Sequence, residues 1–219
     1  MEPSELEVIY NQRFNDHICY RKRVWNVVVS SWLARYIEPQ ADVLDLGCGY
    51  GEFINNVVCR KKYAIDLNVR ARDFLDQGVI FFEQDCSAAW PLGDESLDVV
   101  FTSNFFEHLP SKEALTNTLE QAKRCLRPKG RIIAMGPNIR FVGGAYWDFW
   151  DHHLPLTDHS LAEAMRVRGF QIERVIDRFL PYTMVNTRPA PPLLVYLYLK
   201  TPLAWRVFGK QFLIIARKP

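Results

Sequence analysis

The stretch Val43-Leu44-Asp45-Leu46-Gly47-Cys48-Gly49-Tyr50-Gly51-Glu52-Phe53 decides the fold of this chain. A short apolar run leads into three alternating glycines, and apolar residues at helical spacing follow from Phe53 to Val58. A strand, a glycine turn and a helix form the first unit of a doubly wound sheet, because bare backbone and free N–H groups let a ligand approach closely. The stretch therefore predicts an α/β fold with a nucleotide-like ligand at the end of its first strand.

The spacing of the glycines restricts the ligand. The dinucleotide fingerprint G-x-G-x-x-G would place its third glycine at position 52, where this chain has Glu52. A carboxylate in the first turn of a helix would repel a pyrophosphate. A ligand with an amino group and no phosphate therefore fits better than a dinucleotide.

Asp45 together with the three glycines forms D-L-G-C-G-x-G, which resembles the signature loop of the class I S-adenosylmethionine-dependent methyltransferases. The resemblance covers about residues 40–179 and 210–217, and it includes Leu126-Arg-Pro-Lys-Gly130 ahead of the fifth strand. It implies an enzyme whose cofactor is S-adenosyl-L-methionine. It also implies a doubly wound, mostly parallel, seven-stranded Rossmann-like sheet with helices on both faces.

Periodicity and turn residues predict one domain over residues 1–219, which the resemblance implies is a methyltransferase domain. Residues 1–39 form an N-terminal helical cap, 40–179 and 210–217 form the core, and 180–209 form an insertion before the last strand. Beyond the helix that starts at Phe53, we expect helices over 17–37, 69–77, 111–125 and 160–169. We expect strands over 42–46, 62–66, 79–83, 97–102, 131–135, 170–179 and 212–216.

Acidic residues end the second and third predicted strands. Asp66 can accept hydrogen bonds from ribose hydroxyls, or it can cap the segment from Asn68. Asp85 can bind an adenine amino group, with the Cys86 N–H on the ring, or it can be a solvated turn residue. The resemblance implies that Asp45 holds the methionine ammonium. The other residues it implies for the cofactor are Gly47, Cys48, Gly49, Gly51, Leu67, Ser103 and Asn104.

The residues after the fourth strand bear on the methyl acceptor. They contain no Asp/Asn-Pro-Pro-aromatic motif, and nowhere in the chain does a cysteine follow a proline, which disfavours amino groups of bases or glutamine and cytosine C5. Glu107-His108-Leu109 resembles the E-H-L of many small-molecule methyltransferases, so a hydroxyl of a small molecule or glycan is the predicted acceptor. A hydroxyl needs a base, and His108, His152 and His153 are candidates, each with a structural role as its alternative.

Composition limits the partners. Twenty-seven basic and 25 acidic residues give a net charge of +2 without a long basic run, so we expect no nucleic acid. Five scattered cysteines suggest reduced thiols in a cytoplasmic protein, and no apolar run is long enough for a transmembrane segment. We predict no metal site and a bacterial monomer or homodimer. Leu193–Phe208 could be a peripheral membrane contact, a dimer face or a lid, and packing within the protein is favoured.

Two alternative functions stay open, together with a suggested lid. One is methylation of a lipid-linked or polysaccharide intermediate at a membrane surface, and the other is a non-catalytic module that binds S-adenosylmethionine. Arg13, Tyr20 and Arg21 could form a lid over the cofactor, with a solvated helix face as the alternative for each arginine, and Tyr10 and Tyr20 could reach its methionine carboxylate.

Overall fold

The computed structural model describes residues 18–182 and 190–219. Its helices are α1 (Ile18–Ser31), α2 (Lys112–Cys125), α3 (Ile139–Val142), α4 (Asp158–Val167), α5 (Pro192–Lys200) and α6 (Pro202–Phe208). Its strands are β1 (Asp42–Leu46), β2 (Lys61–Asp66), β3 (Val79–Glu83), β4 (Leu97–Ser103), β5 (Leu126–Pro137), β6 (Gln171–Ile176) and β7 (Gln211–Arg217). Short 3-10 helices cover Leu33–Tyr36, Val69–Phe74, Phe106–His108 and Gly143–Asp148.

The seven strands form one sheet in the order β3-β2-β1-β4-β5-β7-β6. Strands β1 to β5 are parallel, whereas β7 runs antiparallel to both β5 and β6. The predicted α/β class and mostly parallel seven-stranded sheet are thereby confirmed. The chain order reverses between β1 and β4, and such a reversal opens a crevice beyond the carboxyl ends of the strands.

Helices cover both faces of the sheet and shield its central strands from solvent. Every residue of β1 is buried, because alternate side chains point into two separate cores. Leu44 packs in the core that contains Leu119 of α2, whereas Val43 packs in the core that contains Val28 of α1. The carboxyl end of β1 is therefore held in place from both sides.

The helix predicted after the glycine turn is wrong. Residues 52–56 form only a turn, in which the Asn55 N–H donates to the Gly51 carbonyl (3.0 Å). The chain then returns to the start of β1, where the Arg60 N–H donates to the Ala41 carbonyl (2.9 Å). The segment predicted as a helix over 69–77 is likewise a single 3-10 helix.

Two predicted boundaries also move. The capping box expected from Ser160 and Glu163 lies three residues earlier: the Ser160 N–H donates to Thr157 Oγ1 and the Thr157 N–H donates to Ser160 Oγ, both at 2.9 Å. Thr157 is an equally good capping residue, so α4 begins at Asp158. Strand β5 begins at Leu126 rather than at 131, since Leu126 already pairs with β4.

The insertion forms α5 and α6, which pack on α1 and on the segment after β6. Trp205 and Leu199 are buried, and the Trp205 ring lies edge-on to Phe179 with centroids 5.2 Å apart. The Tyr198 hydroxyl donates to the Phe179 carbonyl (2.6 Å). Other apolar side chains of the two helices stay exposed, among them Leu193, Leu194, Leu197, Leu203, Val207 and Phe208.

Within 18–182 and 190–219, none of the helices combines the length and the apolar character needed to cross a bilayer. Arg13, predicted as a lid residue, and Tyr10, predicted near the methionine carboxylate, lie outside the described ranges.

Candidate functional site

A cavity of about 650 Å³ opens beyond the carboxyl ends of β1 and β4, in the size range of small-molecule sites. Its floor is the edge of the sheet, and α1, α5 and the segment after β6 contribute its upper wall. Eight predicted site residues lie in its wall: Asp45, Gly47, Cys48, Gly49, Ser103, Asn104, His108 and His152. Glu107, which was not predicted as a site residue, also lines it. Gly51, Asp66, Leu67, Asp85, Cys86 and His153 do not line it.

The glycine turn brings bare backbone to the cavity. Gly47, Gly49 and Gly51 have φ values of +67°, +51° and +71°, which residues with a Cβ rarely adopt. A methyl group on Gly47 would in addition overlap the ring of Phe105. The Gly49 N–H donates to Asp66 Oδ2 (2.8 Å), which ties the turn to the end of β2.

Asp45 is a buried carboxylate at the inner end of the cavity. Its Oδ2 accepts a hydrogen bond from the Ile54 N–H (3.3 Å), and the side chain is 3% exposed as part of β1. Burial raises the pKa of Asp45 well above its usual range, and the charges of Glu52 and Asp66 raise it further. A cationic ligand group would offset this accumulation of negative charge.

Asp66 lies behind the glycine turn rather than in the cavity wall. Besides Gly49, it accepts from the Asn68 N–H (2.8 Å), which is the capping role considered from the sequence. Burial raises the pKa of Asp66, although these backbone hydrogen bonds counteract the shift. Leu67 is 44% exposed next to it, so its side chain is open to a ligand but packs in no core.

Asp85 has the geometry of a solvated turn residue. Its Oδ1 accepts from the Ser87 N–H (2.7 Å) and from the Ser87 hydroxyl (2.8 Å), and the residue is exposed. Cys86 is buried behind the cavity wall. The position of these two residues therefore does not support the adenine contacts that the resemblance implied.

Ser103 and Asn104 line the cavity where β4 ends. Asn104 has φ +50°, a left-handed conformation, while its N–H donates to the Met135 carbonyl (3.0 Å). Its side-chain nitrogen donates to Ser103 Oγ (3.1 Å), and its Oδ1 is buried without a hydrogen-bond partner among the described residues. A strained residue with an unsatisfied acceptor at a cavity is typical of a binding site.

His108 follows directly and is oriented by Asp151. Its Nδ1 lies 3.1 Å from Asp151 Oδ2 and 3.0 Å from the Asp151 carbonyl, so this nitrogen carries the hydrogen. Burial alone would lower the pKa of His108, but the hydrogen bond to Asp151 and the charge of Glu107 outweigh it and raise the pKa.

Glu107 and His152 complete this corner of the cavity. Glu107 is 3% exposed, and burial raises its pKa to about 7. His152 Nδ1 lies 2.9 Å from the Tyr146 carbonyl, and the His108 and His152 ring centroids are 4.9 Å apart. A carboxylate oxygen of Glu107 and one nitrogen from each ring lie within 4.8 Å of one another, close enough to be considered as metal ligands.

The neighbouring aromatic residues and His153 divide between core and surface. The His153 backbone N–H donates to the Glu107 carbonyl (2.8 Å), but its side chain is exposed outside the cavity. Tyr146 is fully buried, Phe149 lines the cavity, and Trp150 is 87% exposed. The structure therefore brings His108 and His152 together, and it leaves His153 out.

The roof of the cavity contains the two predicted lid residues that are described. Arg21 of α1 forms an ion pair with Glu52 (2.7 Å), and the Tyr20 hydroxyl accepts a hydrogen bond from the Ala190 N–H (2.9 Å). These contacts connect α1 with the glycine turn on one side and with the insertion on the other.

Sequence reasoning did not assign Glu107, Asp151 or Gln211 to the site. Gln211 lines the cavity, and its Oε1 is buried without a hydrogen-bond partner among the described residues. Asp151 could have been found from its place beside His152, because an acidic residue near a histidine often fixes its tautomer. No sequence pattern indicated Gln211, since it is the first residue of the last strand and lies far along the chain from the other site residues.

A family model described as a methyltransferase domain matches residues 19–175. A curated relative, the sarcosine/dimethylglycine N-methyltransferase of Halorhodospira halochloris, is 30% identical over 118 residues. That match covers 49% of this chain and 41% of the relative, so the chain spans less than half the length of the curated protein it matches.

Solved structures show the same fold. A S-adenosylmethionine-dependent methyltransferase from Archaeoglobus fulgidus is similar with a TM-score of 0.66 and 20% identity, over 94% of this chain and 99% of that one. Another from Thermotoga maritima has a TM-score of 0.68 and 16% identity, over 96% of each chain.

Proposed function

Because this chain belongs to the S-adenosylmethionine-dependent methyltransferases, we propose that it methylates a hydroxyl oxygen of a small molecule or sugar. S-adenosyl-L-methionine supplies the methyl group, already activated on a sulfonium. The protein then has little covalent work to do, and most of its effect comes from alignment. Its residues must hold the cofactor in one orientation and hold the acceptor oxygen in line with it.

Asp45 and the glycine turn are suited to the amino-acid end of the cofactor. The raised pKa of Asp45 reflects a buried carboxylate that lacks a nearby cation, and the ammonium of S-adenosylmethionine would supply one. The positive φ values at Gly47 and Gly49 expose backbone for close approach. Asp66, at the end of β2, is assigned to the ribose hydroxyls, with Ser103 and Asn104 beside the methyl group.

The observation that carries the choice of oxygen is the His108–Asp151 pair. A hydroxyl keeps its proton at neutral pH, so its attack needs a group that removes that proton. Asp151 fixes the hydrogen on His108 Nδ1, which leaves the lone pair on Nε2 at the cavity wall. His152, held in the same way by the Tyr146 carbonyl, is the second candidate, and His153 is not needed.

Nitrogen is the competing acceptor, because the curated relative is named for N-methylation of sarcosine and dimethylglycine. A methyl-transfer assay that follows S-adenosylhomocysteine formation, run with matched hydroxyl and amine compounds, separates the two. We expect turnover with hydroxyl compounds only. His108→Ala should leave S-adenosylhomocysteine affinity within a few-fold of wild type and reduce turnover by about 10²-fold.

The exposed His159 supplies the matched control, since its side chain lies outside the cavity. His159→Ala should match wild type in both measurements. Turnover with amines alone would contradict the proposal, and so would full turnover of the His108 variant on a hydroxyl acceptor.

A second candidate function is methylation of a lipid-linked acceptor at a membrane surface. Residues 178–219 contain no acidic residue, and the exposed apolar side chains of α5 and α6 lie within this basic segment. Apolar and basic surface together favour an anionic bilayer. The basic residues are Arg178, Arg188, Lys200, Arg206, Lys210, Arg217 and Lys218.

Co-flotation with vesicles tests this candidate. The full chain should float with phosphatidylglycerol vesicles and not with phosphatidylcholine vesicles, and Leu203→Asp should reduce the bound fraction. Leu203 is 74% exposed, so this change should leave S-adenosylhomocysteine binding intact. If the chain floats with neither vesicle type, this second candidate function is excluded.

A further inference from the structure

Three side chains that commonly bind metals converge at the acceptor end of the cavity. Glu107 and His108 come from the 3-10 helix after β4, and His152 comes from the loop after the 3-10 helix Gly143–Asp148. One ligand atom from each lies within 4.8 Å of the other two. The loop is pinned there because the His153 and Leu154 N–H groups both donate to the Glu107 carbonyl (2.8 and 3.0 Å).

Both imidazole rings are oriented as metal ligands usually are. His108 Nδ1 faces the carboxylate and carbonyl of Asp151, and His152 Nδ1 faces the Tyr146 carbonyl. These partners only accept hydrogen bonds, so both Nδ1 atoms carry hydrogen and both Nε2 atoms carry lone pairs. Histidines that bind metals donate their second nitrogen to a carboxylate or carbonyl in this way.

The Glu107 carboxylate adds a third possible metal ligand to the two Nε2 atoms in this corner of the cavity. Glu107 is 3% exposed, so its carboxylate is largely removed from water. A carboxylate in such surroundings is costly unless a cation compensates it. Among the described residues, no arginine or lysine side chain lines this corner of the cavity. Arg21 lines the cavity but forms its ion pair with Glu52.

We propose that Glu107, His108 and His152 bind one divalent transition-metal ion. Two imidazole nitrogens and one carboxylate suit zinc, manganese, iron or cobalt rather than calcium or magnesium, and they leave coordination positions open. Metal–ligand distances of about 2.0–2.2 Å require ligand atoms roughly 3–4 Å apart. The upper limit of the observed spacing, 4.8 Å, is about 1 Å above that range.

The use of the ion rests on the proposed function. With the ion bound, His108 Nε2 would be a metal ligand and no longer the base. The ion would instead lower the pKa of the acceptor hydroxyl, its proton would pass to solvent water, and the oxygen would then attack the methyl group. The ion would therefore favour acceptors with a second oxygen near the first, such as vicinal diols or catechols, which can bind one ion through both atoms.

Cobalt binding tests the site independently of catalysis. Full-length protein is treated with chelator, dialysed and titrated with Co²⁺, whose visible spectrum reports histidine coordination, with calorimetry giving the stoichiometry. We expect one Co²⁺ per wild-type chain. Glu107→Gln and His152→Ala should each weaken binding by about 100-fold, and Asp151→Asn by about 10-fold because it acts through His108.

His159→Ala is the control and should bind Co²⁺ like wild type. Circular dichroism and S-adenosylhomocysteine binding check that each variant is folded. Absence of stoichiometric Co²⁺ binding to wild type, or equal binding by the Glu107 and His152 variants, overturns the metal site. If the metal site fails while chelated enzyme still methylates hydroxyls, the proposed function stands; if Co²⁺ binds but S-adenosylhomocysteine does not, the function fails alone.

Discussion

A buried aspartate lies at each end of β1, and the pKa values of the two are shifted in opposite directions. At the amino end, Asp42 accepts hydrogen bonds from Arg60 (2.6 and 2.9 Å) and from Arg127 (3.0 Å). The hydrogen bond from Arg60 lowers the pKa of Asp42, and Arg127 adds to the effect against the cost of burial. At the carboxyl end, three residues along the same strand, burial and the neighbouring carboxylates raise the pKa of Asp45.

The difference separates a carboxylate that stabilises the fold from one that is available to a ligand. Asp42 has its cations within the chain, so its charge holds the sheet to the segments around it. Asp45 lies among carboxylates, and folding does not benefit from its charge. Buried groups with strongly shifted pKa values in a cleft are candidates for function, and Asp45, Asp66 and Glu107 all fit that description.

Asp45→Asn should have the largest effect, and only on binding. Loss of the carboxylate removes the charge opposite the cofactor ammonium, which should cost about 3 kcal/mol, or roughly 150-fold in affinity. The ligand-free protein should be at least as stable as wild type, because a buried charge is removed. Calorimetry with S-adenosylhomocysteine and thermal unfolding measure the two effects. A variant that binds normally would mean that Asp45 has no ligand role.

Asp66→Asn should weaken S-adenosylhomocysteine binding by about 30-fold, since hydrogen bonds from ribose hydroxyls to a charged group are stronger than to an amide. Asp85→Asn is its matched partner at the next strand end. Because the Asp85 carboxylate bonds to Ser87 and is exposed, we expect less than about a threefold change. A larger loss of S-adenosylhomocysteine affinity in the Asp85 variant would support the adenine contact that the resemblance implied.

Asp42→Asn should change stability and leave cofactor binding unchanged. We expect a loss of about 1–2 kcal/mol at pH 7, less than for a fully buried pair because both guanidinium groups are partly in solvent. The folded-state pKa of Asp42 lies below its unfolded value, so its contribution is present above that unfolded value and is lost as the pH falls through the folded one. Urea unfolding of both proteins at neutral pH and near pH 3 should show the difference shrinking.

Glu107→Gln should have the smallest effect of these variants, and it should raise rather than lower the stability of the protein. Replacing a buried carboxylate by a neutral amide of similar size should stabilise the chelator-treated protein by about 1 kcal/mol. Thermal unfolding in the presence of chelator measures it. A destabilised variant would show that the Glu107 charge is already compensated within the chain.

The region around β1 and β2 could be predicted from sequence because its signals are local. The strand, the glycine turn and Asp45 occupy ten consecutive residues, and the seven-stranded sheet followed from similar short patterns. A helix was wrongly predicted after Gly51, because the structure of this segment depends on where β2 begins and a periodic pattern such as Phe53–Val58 contains no such information.

The acceptor end was less predictable, since its parts meet only in three dimensions. Glu107 and His108 are more than 40 positions from Asp151 and His152, and the side chain that orients each histidine depends on how the loop before α4 folds back. The sequence named all three histidines as candidate bases, whereas the fold turns His153 outward. The adenine contact of Asp85 stays a prediction, because the resemblance defines a strand end but not the turn that follows it.

The contacts of the roof have a kinetic consequence. The Arg21–Glu52 ion pair and the Tyr20–Ala190 hydrogen bond join α1 to segments on both sides of the cavity. On the proposed placement of the cofactor beside Asp45, release of the spent cofactor past α1 would require these contacts to separate. The time that S-adenosylhomocysteine remains bound, rather than the methyl transfer itself, would then limit how often the enzyme turns over, and high salt, which weakens the exposed part of the ion pair, would shorten it.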